Sequence, residues 1–170
     1  MDKLFFISLQ NTLEKSIVLL DNISTASYTD NTNGPFYTSI GAHIRHILDF
    51  YKSIFKGLSN SSIDLTLRDR DLSIENNIDT ALTEIKKTLL ILQNFSNYNL
   101  EKSIVLKDDL GSGKISIQTN LYSVLVQANS HTIHHYAIIS QLLYVLNIEI
   151  TDITFGYNPT TKIKVSNIIR

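Results

Sequence analysis

Apolar residues recur at steps of three and four along four long stretches, and each stretch predicts an amphipathic helix. The first covers about residues 2–23, with Phe6, Leu9, Leu13, Ile17 and Leu20 on one face. The second follows a capping residue at Thr38 or Ser39 and runs to about Gly57, a glycine placed where a helix stop is expected. Its apolar face holds Ile40, Ile44, Ile47, Leu48, Tyr51, Ile54, Phe55 and Leu58. The third begins at a Ser73 cap and ends near Asn97, burying Ile74, Ile78, Ala81, Leu82, Ile85, Leu89 and Leu92. The fourth follows Asn120 and covers about residues 121–146, with Leu121, Val124, Leu125, Ala128, Ile139, Leu142, Leu143 and Leu146 in step.

The polar stretches between them read as connections. Residues 24–37 contain Asn31, Asn33, Gly34 and Pro35, all turn formers. Residues 59–72 carry the near-balanced charges of Arg68, Asp69, Arg70 and Asp71 and read as a solvated loop. Two short β-branched runs, residues 103–107 and 114–118, flank an Asp/Gly-rich turn and predict a hairpin. After the fourth helix, Gly156 and Pro159 stop further helix, and residues 163–170 fit either a strand or a short helix. The expected fold is all-α: one four-helix-bundle domain over residues 1–170, with a small β-hairpin before the last long helix and its sites between facing helices.

Composition narrows the function classes. A chain of 170 residues is the natural size of one domain, and 43% hydrophobic residues is ordinary for a globular one. A net charge of -1 gives no reason to expect nucleic acid or an anionic membrane as partner. No apolar run is long enough to span a bilayer, and residues 1–7 lack the pattern of a secretion signal. The absence of cysteine excludes disulfides, thiolate ligands and a cysteine nucleophile, and fits a cytoplasmic location.

All five histidines fall in the second and fourth helices. His131 and His135 are one turn apart at the edge of an apolar stripe, so both imidazoles can reach one divalent ion. His134 is rotated toward the polar side. A third imidazole, from His43 or His46, would complete a three-His site with open coordination positions. On the helical wheel His43 lies nearer the apolar stripe than His46. The competing reading makes these histidines hydrogen-bonded packing residues.

The order of these features resembles the DinB/YfiT-like superfamily of metal-dependent enzymes. The resemblance covers nearly the whole chain. It rests on the helix order, on His46-Ile47-Leu48-Asp49, on the His-x-x-x-His of His131 and His135, and on the tail Phe155-Gly156-Tyr157-Asn158-Pro159-Thr160-Thr161. That tail is similar to the Phe-Gly-x-x-Pro-Ser-Thr of a related bacterial subgroup, with Thr160 in place of the serine. The resemblance implies a divalent metal held by His46, His131 and His135, and a homodimer. It also implies either a hydrolase or a transferase of low-molecular-weight thiols, acting on a small molecule.

Imidazole ligands suit zinc or nickel, with iron or manganese less favoured. Neutral imidazole is the ligand, so ordinary histidines predict metal affinity that falls as pH drops through about 6.5. Asp49, one turn from His46, reads first as a surface charge and second as a carboxylate orienting a ligand. Tyr51 and Tyr136 read as core-edge aromatics before proton donors. The non-enzymatic alternative is a metal-binding, small-molecule-binding or stress-response interaction module.

Overall fold

The computed structural model describes residues 2–95 and 98–162. Residues 163–170 and the expected helix end at Asn97 lie outside the described residues. The order of elements is α1 (Asp2–Leu20), α2 (Thr25–Thr29), α3 (Ile40–Gly57), β1 (Ser62–Asp64), α4 (Leu72–Asn76), α5 (Ile78–Asn94), β2 (Ser103–Asp109), β3 (Lys114–Asn120) and α6 (Leu121–Val145).

The four long helices are present, and their apolar stripes meet in one core. Leu9, Leu13, Ile40, Ile44, Ile47, Leu48, Ile85, Leu92, Leu125 and Ile139 are all buried there. Ser39 rather than Thr38 caps α3, accepting from the Ala42 amide, and Asn120 caps α6, accepting from Ser123. No helix among the described residues is long and apolar enough to cross a membrane.

The all-α assignment is wrong. The fold is mixed α/β, with six helices and a three-stranded mixed sheet in the order β1-β2-β3 among the described residues. The expected hairpin forms, with Leu106 opposite Ile117, but β1 adds to it in parallel, with Ile63 opposite Leu106. β1 lies inside the stretch read as a solvated loop. A three-residue strand has too little alternation to show in sequence; it exists because β2 supplies its hydrogen-bond partners and the core takes Ile63 and Leu65. Gly57 is what brings α3 down onto this strand, since a Cβ there would stand 2.5 Å from the Ser62 carbonyl oxygen.

Two further boundaries differ. The expected third helix breaks at Asn77, which leaves helical geometry and caps α5 by accepting from Thr80. α4 is capped by Asp71, which accepts from Ser73. The loop before α3 contains α2, anchored by Tyr28, which is buried and donates its hydroxyl to the Ile74 carbonyl at 2.6 Å.

The tail packs on the back of α6. Phe155 is buried against the Tyr136 ring at 4.5 Å between centroids. Gly156 has φ +78, and a Cβ there would stand 2.9 Å from the Tyr136 carbonyl oxygen, so the motif's glycine meets both a left-handed backbone and a close approach. Lys15 ties the same segment to α1 through Asp152 at 2.8 Å.

Candidate metal centre

α3 and α6 pack face to face, and their packing brings four histidines together. His46, His131 and His135 each offer a ring nitrogen, and the three nitrogens lie within 4.8 Å of one another. The rings of His46 and His131 have centroids 4.9 Å apart, those of His46 and His135 4.6 Å, and those of His131 and His135 4.5 Å. The i, i+4 spacing on α6 supplies two of the imidazoles, and the crossing of α3 supplies the third. Phe50 lies over His131 at 4.7 Å and shields one side of the group from water.

The hydrogen bonds decide which nitrogens remain free. His135 Nδ1 faces His43 Nδ1 at 2.9 Å, which leaves Nε2. His46 Nδ1 accepts from the Arg68 guanidinium at 3.2 Å, so its Nε2 has no protein partner but carries the ring proton and can ligate only once Arg68 withdraws. His131 Nε2 is buried with no hydrogen-bond partner. A buried imidazole nitrogen left unpaired is costly in a packed interior. A divalent cation would satisfy it, and nitrogen donors of this kind match the three-His, open-position type of site. The residues present therefore fit a metal.

His43 takes a different place from His46. It is buried at 8% exposure, as its position beside the apolar stripe implies, and stands behind His135. His43 Nε2 is 2.9 Å from the Thr38 hydroxyl. When His135 offers the Nε2 lone pair, its proton sits on Nδ1 and donates to His43 Nδ1; the Nε2–H of His43 then donates to Thr38. This chain accommodates the ligating tautomer of His135 and holds its ring in place, a task usually given to a carboxylate or carbonyl. His134 is exposed, with its ring 5.2 Å from that of His135.

Asp49 is not a surface charge. It is buried at 1% exposure, because α4 and residues 65–71 cover the polar side of α3. One oxygen accepts from Arg45 at 3.1 Å, and Arg45 also reaches Glu75 at 2.8 Å. The other is buried without a hydrogen-bond partner. Burial raises its pKa, opposed by Arg45. It bonds no histidine, so it orients none. Tyr51 is fully buried, and burial pushes its phenol up to about 12. Burial also raises Tyr136, whose hydroxyl is engaged by Ser16 and by the Thr12 carbonyl.

Two residues of the site carried no signal in the chain. Thr38 read only as a possible cap. Arg68 read as one charge of a solvated loop, 22 residues from the histidine it contacts.

The chain matches no protein-family model, and no curated protein matches it.

All three candidate ligands have pKa values below the ordinary imidazole value of about 6.5. Burial lowers His46 to about 4, helped by the positive charge of Arg68. Burial lowers His131 to about 4, helped by His134 and Arg68 and opposed by Asp108. Burial and the neighbouring histidines lower His135 to about 2. The folded site therefore takes up protons near pH 4, below the 6.5 that unperturbed histidines imply. By equilibrium dialysis with elemental analysis, metal affinity is expected to hold from about pH 8 to about pH 5 and to fall below that. A steep loss between pH 7 and pH 6 would contradict it. Stability has the matching sign. The unfolded chain binds protons at about 6.5 and the folded one does not, so stability is full above that value and is lost as pH falls toward 4.

Proposed function

We propose that this protein is a metal-dependent enzyme of the DinB/YfiT-like type, with a divalent ion held by His46, His131 and His135. The observation that carries this reading is the meeting of three imidazoles from two helices, each keeping a ring nitrogen clear of protein partners, with that of His131 buried and unpaired. Zinc or nickel suits an all-imidazole donor set best, with iron or manganese less favoured. The ion would supply Lewis acidity, which lowers the pKa of water or a thiol at its open positions.

The chain's own residues do the rest. His43, backed by Thr38, engages Nδ1 of His135 and leaves its Nε2 without a protein partner. Phe50 excludes water from one side of His131. The low proton affinity of the three imidazoles keeps them neutral, and so able to ligate, at ordinary pH.

Elemental analysis of protein purified without a His-tag or chelator tests the site. About one divalent ion per chain is expected, and the loaded protein should then turn over in a thiol-transfer or an ester- and amide-hydrolysis screen. No ion in the purified protein and no uptake of added zinc or nickel would return the histidines to packing residues.

A further inference from the structure

Arg68 stands at the metal centre with nothing to do once a metal is held. Its guanidinium has only N–H donors, so its 3.2 Å contact with His46 Nδ1 requires that nitrogen to accept. The proton of His46 then sits on Nε2. A His46 that gives its Nε2 lone pair to a cation carries the proton on Nδ1 instead. N–H would face N–H, and Arg68 must leave the imidazole. The contact seen here and ligation by His46 Nε2 therefore exclude each other.

A released Arg68 has little else to hold. Its Nε reaches the Leu65 carbonyl only at 3.4 Å. Among the described residues no carboxylate pairs with it. Asp69, beside it in the chain, is taken by Lys56 at 2.6 Å. Asp49 and Glu75 are taken by Arg45. Asp108, on the hairpin side of His131, forms no ion pair with it, and its Oδ1 accepts from the Asp109 amide. Arg68 touches the His46 ring, and its charge acts on both His46 and His131. It is exposed, and so open to a molecule arriving from solvent.

We propose that Arg68 is the group that recognises the ligand of this centre, and that the ligand carries a carboxylate beside the atom that reaches the metal. The inference rests on the metal-centre reading above. A guanidinium pairs with a planar carboxylate through two parallel hydrogen bonds. The charge count favours one negative charge, since Arg45, the other cation whose charge acts on His46, is already shared between Asp49 and Glu75. The switch also orders events: metal binding frees the arginine that then holds the ligand.

The test uses zinc-loaded full-length protein and two probes of one skeleton, 3-mercaptopropionate and its methyl ester. Both present a thiol, and only the first presents a carboxylate. By titration calorimetry, the wild type is expected to prefer the acid. Arg68→Gln should cut that preference about tenfold, the worth of a charge-assisted hydrogen bond, without changing zinc content or affinity for the ester. Arg68→Lys should restore part of it. A preference unchanged in Arg68→Gln, an equal loss for both probes, or loaded protein that binds neither probe overturns the role of Arg68 and leaves the metal centre standing. Wild-type protein that takes up no zinc overturns the metal centre, and this inference with it.

Discussion

His131→Ala and His135→Ala are each expected to leave the folded protein unable to hold a divalent ion. Both residues project from one face of α6, and no other imidazole replaces either. His43 is fixed behind His135 by Thr38, and His134 is exposed. Losing a neighbour that only orients a ligand costs about 10- to 100-fold in metal affinity, and losing a ligand costs more than that. The same scale separates the two histidines of α3. His46→Ala should exceed the 100-fold bound, whereas His43→Ala should stay within it. His43→Asn should recover affinity, since an amide oxygen near the position of Nδ1 still accepts from His135. Metal stoichiometry and affinity on each variant decide the matter. Unchanged stoichiometry in His131→Ala or His135→Ala would remove the ligand assignment. A larger loss in His43→Ala than in His46→Ala would exchange the roles of the two α3 histidines.

Gly41→Ala is expected to cost about 3 kcal/mol of stability, the upper end for an overpacked site. Gly41 lies in the first turn of α3, two residues before His43. A Cβ there would stand 2.0 Å from the Glu75 carbonyl oxygen and 2.9 Å from the Tyr28 ring. The nearest obstacle is backbone, so no flexible side-chain end can swing aside. Relief would need α4 and α3 to separate. That movement would pull the Ile74 carbonyl from the Tyr28 hydroxyl and Glu75 from Arg45. Such a loss is a large share of the 5–15 kcal/mol typical of a folded domain. Chemical denaturation measures it; a variant within about 0.5 kcal/mol of wild type, the range of inert surface changes, would show that the two helices are not held this close. Since α3 also carries His43 and His46, the same variant should bind metal more weakly.

Much of the molecule was legible in the order of its residues. Helical periodicity located the four long helices, because an amphipathic stripe repeated over several turns has few other solutions. The i, i+4 pair on α6 marked His131 and His135, since helix geometry alone stacks them. Gly156 and Pro159 marked the end of helix in the tail, but the packing of Phe155 and Gly156 against α6 left no mark in that pattern. The helical wheel put His43 nearer the apolar stripe than His46, and His43 is buried, yet burial is not ligation: its nitrogens are directed at Thr38 and His135.

Tertiary structure alone decided the rest. β1 is three residues long and takes its identity from β2, so an apparent solvated loop became a strand and an all-α expectation became a mixed sheet. Asp49 looked exposed on its helix and is buried, because the polar side of α3 is covered by α4 and residues 65–71. His46 joined His131 and His135 only through the crossing of α3 and α6, and Thr38 and Arg68 reached the site across chain separations that leave no periodic trace. Local sequence determines which way a side chain leaves its own helix; what it meets there depends on packing between elements distant in the chain.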